Sequence, residues 1–304
     1  MRIQHQRVAV RVPATSANLG PGFDALGLAL DLCDDLTVEA TTGAVEIDAT
    51  GEGAGTLQEG EEHLVIRALR RGLDHAGAPQ AGLRLHTVNR IPHGRGLGSS
   101  AAATVAGLLL ARALLSDPAA LDDDTVLQLA CEFEGHPDNA APAVLGGVTL
   151  SWMEGESART VALRTREDAL APLVLRPSTS LSTRRARGLL PETVPHADAA
   201  FNAARAALLV HALGTDPELL LEATEDRLHQ EQRAAGMPES VELMRTLRRA
   251  GHPAVISGAG PSVLVLRGQR AQIAPLVREN VADPGQWRIA QVPLHVDGAT
   301  SVVR

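Results

Sequence analysis

The sequence contains no lysine and no tyrosine, and all 28 of its basic residues are arginine. Without lysine there is no Schiff-base chemistry, no amine nucleophile and no P-loop lysine. Any phosphate bound here must be neutralised by arginine, backbone N–H groups, a helix dipole or a metal. Cysteine is almost as scarce. Cys33 and Cys131 make no metal-ligand spacing and no disulfide framework, and the expectation is two buried free thiols in a reducing cytosol. Long apolar runs are missing too: the longest, Ala101 to Ala111, falls well short of the about 20 residues that cross a bilayer. Residues 1–10 have no apolar core of a secretory signal, so a cytoplasmic location is expected. A net charge of −8 excludes a general nucleic-acid binder and a partner membrane surface of the same sign.

What is present is ordinary in bulk and unusual in one place. At 304 residues, 44% hydrophobic and 21% charged, the chain can form one large or two medium globular cores. The unusual stretch is Pro92-His93-Gly94-Arg95-Gly96-Leu97-Gly98-Ser99-Ser100-Ala101-Ala102-Ala103. Three alternating glycines let the backbone curl around an anion, and the helix behind them aims free N–H groups and its positive dipole end at it. A Walker A loop has lysine where Ser99 stands. A dinucleotide fingerprint has glycine three residues after Gly96, which is again Ser99.

Around this loop, strands are expected at Val8–Val12, in Leu36–Ala49, at Leu83–Val88, Leu145–Trp152, Leu173–Arg176, Ala254–Ser257, Ser262–Leu266 and Trp287–Val292. Helical spacing covers Leu64–Leu73, Ser99–Leu115, Thr125–Glu134, Asp198–Leu213, Pro238–Ala250 and Ala271–Asn280, and Asp216-Pro217-Glu218 is a helix start. Pro13 to Asp24 reads as a loop of small turn-forming residues. Glu154 to Arg159 reads as a hairpin tip or domain joint. Strands and helices do not alternate strictly, which favours α+β over a doubly wound sheet.

Three glycine-rich segments occur in order: Pro13-Ala14-Thr15-Ser16-Ala17-Asn18-Leu19-Gly20-Pro21-Gly22-Phe23-Asp24, the Pro92–Ala103 loop, and Ser257-Gly258-Ala259-Gly260-Pro261-Ser262. Together they resemble the three signature motifs of the GHMP small-molecule kinases. The first motif, and Gly135-His136-Pro137-Asp138-Asn139 ahead of Leu145-Gly146-Gly147, resemble the branch that phosphorylates L-homoserine. The resemblance runs from about Val8 to about Val292. It implies an α+β fold with two domains. A ribosomal protein S5 domain 2-like ATP-binding domain would span 1–155 and a ferredoxin-like C-terminal domain 156–304. It also implies ATP and Mg²⁺ as cofactors, transfer of the γ-phosphoryl group to the L-homoserine hydroxyl, and a place in threonine synthesis. A homodimer is compatible with it.

Carried over residue by residue, the resemblance assigns the triphosphate to Pro92, His93, Gly94, Arg95, Gly96, Leu97, Gly98, Ser99, Ser100, Ala101 and Ala102. Glu132 becomes the Mg²⁺ carboxylate, with Ser100 also in reach of the metal. Glu134 competes for that place, but residues two apart on a helix point about 200° apart, so only one can face the site. An amino-acid substrate requires a partner for its ammonium, Asp24 with Asn18, and a fork for its carboxylate. Thr183-Arg184-Arg185-Ala186-Arg187 picks out Thr183 and Arg187, and Arg233 is the second arginine. Asn139 would orient the reacting hydroxyl, with Asp138 the weaker catalytic candidate. Two other readings stay open: a kinase for mevalonate or a diphosphocytidyl polyol, and a catalytically silent nucleotide-binding regulator. A dinucleotide oxidoreductase would need the fingerprint this loop lacks.

Overall fold

The computed structural model describes residues 1–166 and 168–304. In chain order the elements are β1 (Arg7–Ala17), β2 (Leu26–Thr41), β3 (Glu46–Gly51), α1 (Leu64–His75), β4 (Gly82–Asn89), α2 (Ser99–Leu114), α3 (Asp123–Glu134), α4 (Ala140–Leu145), β5 (Val148–Glu154), β6 (Ser157–Leu163), β7 (Leu173–Pro177), α5 (Thr183–Arg187), α6 (His196–Gly214), α7 (Leu220–Ala223), α8 (Pro238–Arg249), β8 (Ala254–Ile256), β9 (Val263–Val265), α9 (Arg270–Asn280), β10 (Trp287–Gln291) and β11 (Thr300–Val303). Among the described residues no helix is long and apolar enough to cross a membrane.

The first sheet has seven strands. Five run in the order β11-β1-β2-β4-β3, and the hairpin β5–β6 joins it through the first residues of β2. Only β3–β4 is parallel. One face is covered by α1, α2, α3 and α4. Helix α2 is buried on nearly every side because it lies between the sheet and its neighbours, and its Val105, Leu108, Leu109 and Leu110 enter the main core. The pairing of β1 with β2 slips between Pro13 and Ala14. Pro13 faces Cys33 while Ala14 faces Leu30, so Asp31 and Leu32 have no partner on β1 and form a bulge.

The second sheet is antiparallel in the order β10-β7-β9-β8. Helices lie between β7 and β8 and again between β9 and β10. A βαββαβ succession with its first strand beside its last is the ferredoxin-like arrangement, as expected. Leu173, Leu175, Val263 and Val265 pack here against Val241, Leu243 and Leu247 of α8 and Ile273 of α9.

The structure moves the expected division at 155/156. That point is the tip of the β5–β6 hairpin, and both its strands belong to the first sheet. The second sheet begins only at Leu173, and the chain returns to the first through β11. Sequence patterning misses β6 and β11 because neither is apolar on a buried face. The first motif is only half loop, since β1 continues through Ala17. Asp216 caps Glu218 as expected, but the helix it starts is one short 3₁₀ turn before α7.

Candidate active site

The three glycine-rich segments meet. Gly98 stands at the N-terminus of α2 with φ +67°, in the left-handed region, and a Cβ there would lie 1.9 Å from the Thr15 Oγ1. Gly96 has φ +70°, and a Cβ on it would strike the Ser257 carbonyl at 2.1 Å. Glycine is required at both places by conformation and by space. Having no side chain, Gly98 gives α2 no side-chain cap, so the first-turn N–H groups remain available to an anion. The Ser257 hydroxyl donates to the Gly96 carbonyl (2.6 Å), the Thr15 N–H to the Leu97 carbonyl (3.2 Å), and the Asn18 Nδ2 to the Gly258 carbonyl (3.0 Å). The first and third motifs thus brace the second from both sides.

Beyond Asn18 the first motif turns sharply. Asn18, Leu19 and Asp24 all have positive φ, which is uncommon outside glycine and concentrates at functional sites. The Asn18 Oδ1 accepts from the Asp24 N–H at 3.0 Å and so helps hold the carboxylate in place. Asp24 receives both arms of Arg187, at 2.7 and 2.9 Å. Arg187 lies on α5, whose start is fixed by the Ser182 hydroxyl accepting from the Arg185 N–H.

Arg233 is the most deeply placed cation, 2% exposed. Its Nη1 donates to the His229 Nδ1 at 3.2 Å and to the Gly258 carbonyl at 3.4 Å, and its Nε has no partner. The His229 Nε2 lies 2.7 Å from the Gly20 carbonyl, so that nitrogen carries the ring proton and Nδ1 is free to accept. Burial pushes the pKa of His229 down and keeps it neutral. Arg233 and Arg187 both lie over the Phe23 ring, 5.2 and 5.5 Å from its centre. Among the described residues Arg233 has no carboxylate partner, so a buried guanidinium is left seeking an anion.

The floor comes from the segment after α3. Gly135 ends that helix with φ +82°. His136 then pairs with Asp138 through a short contact, and the Asn139 Nδ2 donates to the Asp138 Oδ1 at 3.3 Å. The Asn139 Oδ1 accepts from the Thr15 hydroxyl at 2.9 Å. Burial disfavours the charge on His136, but the bond and charge of Asp138 outweigh it and hold its pKa above the ordinary value.

These residues line one cavity of about 130 Å³, which holds Asn18, Asp24, Asp138, Asn139, Thr183, Arg187 and Arg233 together with Gly94, Gly96, Leu97, Gly98, Ser99, Ser100 and Ala101. All six substrate candidates are therefore brought together. Pro92, His93, Arg95 and Ala102 are not on its wall. Arg95 points away and donates to the carbonyls of His93 and Ser178.

Glu132 does not face the cavity, which corrects the expected metal carboxylate. Arg71 on α1 holds it outward with bonds of 2.8 and 2.9 Å. Glu134 faces inward and accepts the Ser100 hydroxyl at 2.6 Å. Burial pushes its pKa above the usual carboxylate range, and Ser100 and His136 partly oppose that. A half-buried acid paired with a hydroxyl is a hard-oxygen donor set that suits Mg²⁺.

A second chamber of about 320 Å³ opens on the other side of the phosphate loop and shares Gly94, Ser99 and Ser100 with the first. Val12, Leu36, Leu57, Leu64 and Val65 make it largely apolar. Three buried polar atoms of its lining have no partner: His63 Nδ1, Thr87 Oγ1 and His93 Nε2. An apolar slot with a few convergent polar atoms beside a phosphate cradle fits a nucleoside. Outside the phosphate loop, which contributes His93, Gly94, Ser99 and Ser100, its residues come from segments far apart in sequence, which is why none of them was a candidate beforehand.

Comparison with known proteins gives a consistent result. Residues 63–147 match the GHMP kinases N terminal domain and residues 200–281 the GHMP kinases C terminal domain. The homoserine kinase of Streptomyces avermitilis is 53% identical over 296 residues, 96% of this chain and 95% of its own. That of Clavibacter michiganensis subsp. michiganensis is 51% identical and covers 97% of this chain and 94% of its own. The crystal structure of homoserine kinase from Cytophaga hutchinsonii superposes with a TM-score of 0.85 at 26% identity, covering 98% of each chain.

Proposed function

Since this chain belongs to the GHMP kinase family, we propose that its two chambers carry out the ATP-dependent phosphorylation of the L-homoserine hydroxyl. The chain is a kinase. Its product is O-phospho-L-homoserine, and we place the step in the cytoplasm on the way to threonine. The observation that carries the choice of substrate is the pairing of opposite charges in the acceptor chamber. Asp24 and Arg187 are closed on one another, and Arg233 is buried without an anion. A zwitterion satisfies all three: its ammonium takes Asp24, and its carboxylate takes the arginines. Mevalonate or a diphosphocytidyl polyol has no ammonium for Asp24.

In this reading the base and ribose of ATP lie in the apolar chamber, and the phosphates cross the N-terminus of α2. The first-turn N–H groups and the helix dipole draw charge off the transferring phosphoryl group. Glu134 and Ser100 would hold Mg²⁺, which when bound neutralises phosphate charge. Asn139, oriented by Thr15 and Asp138, positions the acceptor hydroxyl. An amide takes up no proton, so the hydroxyl proton passes either to the phosphate or to the His136–Asp138 pair. Arg187 and Arg233 fix the far end of the substrate and thereby its reacting end.

An ADP-release assay with homoserine, mevalonate and a diphosphocytidyl polyol tests the proposal. Turnover with homoserine alone is expected. Turnover with mevalonate but not homoserine would overturn the substrate, and ATP binding without turnover on any alcohol would make the chain a silent regulator.

A further inference from the structure

Away from the active site, the β2 bulge brings together three metal-binding side chains. The Cys33 Sγ lies 3.8 Å from the Asp31 Oδ1 and 4.0 Å from the His295 Nδ1, and those two atoms are 3.2 Å apart. We propose that Asp31, Cys33 and His295 bind one divalent cation of the zinc class and tie the segment ahead of β11 to β2.

The geometry is suited to it. A tetrahedral zinc with one sulfur, one nitrogen and one oxygen ligand sets its ligand atoms about 3.3–3.6 Å apart. The observed triangle needs only a few tenths of an ångström of adjustment. Thiolate, imidazole and carboxylate together select a borderline-soft cation over Mg²⁺ or Ca²⁺. Cys33 and His295 form the deep side, while the Asp31 side chain is 48% exposed and leaves the fourth position open to water.

The tautomer of His295 adds an independent reason. Its Nε2 lies 3.1 Å from the Gly298 carbonyl and must donate there. In the neutral ring Nδ1 then has a bare lone pair facing a carboxylate oxygen at 3.2 Å, and two acceptors at that distance repel. A proton on Nδ1 or a cation between them removes that repulsion. A metal does this and engages the thiol as well, while the carbonyl bond to the other ring nitrogen is the usual support of a metal-bound histidine. On binding, the Cys33 thiol proton leaves to solvent. Burial raises the pKa of the Cys33 thiol and Arg11 beside it opposes that rise, while Arg11 itself lies 3.8 Å from Asp35.

The backbone already prepares the junction. The Asp31 N–H donates to the Pro293 carbonyl, and the His295 N–H to that of Ala29. The three ligands escape a search for sequence spacing because the third lies far along the chain. Asp24, His136 and Asp138 form a comparable cluster, but it belongs to the active site.

Cobalt titration of the metal-free protein tests the proposal. One Co²⁺ per chain is expected, with a near-ultraviolet thiolate-to-cobalt band that Zn²⁺ abolishes by competition. The band should vanish in Cys33→Ser and His295→Ala and persist in Cys131→Ser. Zn²⁺ at a hundredfold excess over Kd should raise the Tm of the wild type by about 5 °C and leave that of Cys33→Ser unchanged. No band in the wild-type protein would overturn the site and leave a plain imidazolium–carboxylate pair. A band that survives Cys33→Ser, or is lost only with Cys131, would place any thiolate metal elsewhere.

Discussion

Arg187→Ala isolates the grip on the substrate carboxylate. In the ligand-free chain Arg187 makes two bonds to Asp24, but their side chains are 40% and 32% exposed. Solvent screening leaves such a pair worth only about 0–1 kcal/mol. Binding a zwitterion opens it and forms two new contacts, one on each partner. The variant loses a charge-assisted contact of about 1.5–3 kcal/mol and no longer has to open the pair. Taking about 0.5 kcal/mol for the pair leaves a net loss of about 1–2.5 kcal/mol, or about 5- to 70-fold in the KM for homoserine. Initial rates from coupled ADP release should show that rise, with the KM for ATP within about twofold by the same arithmetic. 3-Aminopropan-1-ol, which is homoserine without its carboxylate, provides the cross-check. The wild type should prefer homoserine by more than the factor that Arg187→Ala erases, because Arg233 also holds the carboxylate. An equal rise in both KM values, or an unchanged preference over the decarboxylated alcohol, would refute the assignment.

Glu134→Gln should lower kcat by about 100-fold or more and raise the Mg²⁺ concentration needed for half-maximal rate. Glu132→Gln breaks only the exposed pair with Arg71 and should leave rate and metal dependence within about twofold. The reverse order in a Mg²⁺ titration would restore Glu132. His136 titrates above its ordinary value of 6.5 in the folded chain. Its contribution to stability is therefore complete below that pH and is lost as pH rises through the folded pKa. Urea unfolding of wild type and His136→Asn should differ most in mild acid and converge in mild alkali, whereas a gap constant with pH would rule out the coupling to Asp138.

Much of this molecule can be read from its sequence, and the exceptions have physical causes. Gly96 and Gly98 announce the phosphate loop because only glycine fits their φ and their surroundings. Helix α2 follows from an apolar run between that loop and Ser116, and the second sheet from apolar strands separated by clear helices. The choice between Glu132 and Glu134 cannot be made locally. Helical geometry separates them by half a turn, but Arg71 on another helix decides which one points out. The second, apolar chamber takes Asp34, Leu57, His63, Thr87 and His93 from separate segments, so no spacing reveals it. Strand β11 carries no apolar pattern, and it forms because β1 offers it an unpaired edge.

That last pairing has a consequence for synthesis. Val8 to Arg11 of β1 bond on one side to Thr300–Val303. While the chain emerges from the ribosome, that side of β1 stays an open edge until β11 has been made. The catalytic loops can assemble well before then, since their segments all precede Leu266. Until β11 emerges the nascent chain therefore combines assembled glycine-rich loops with an exposed strand edge, a state in which pairing with another copy competes with folding.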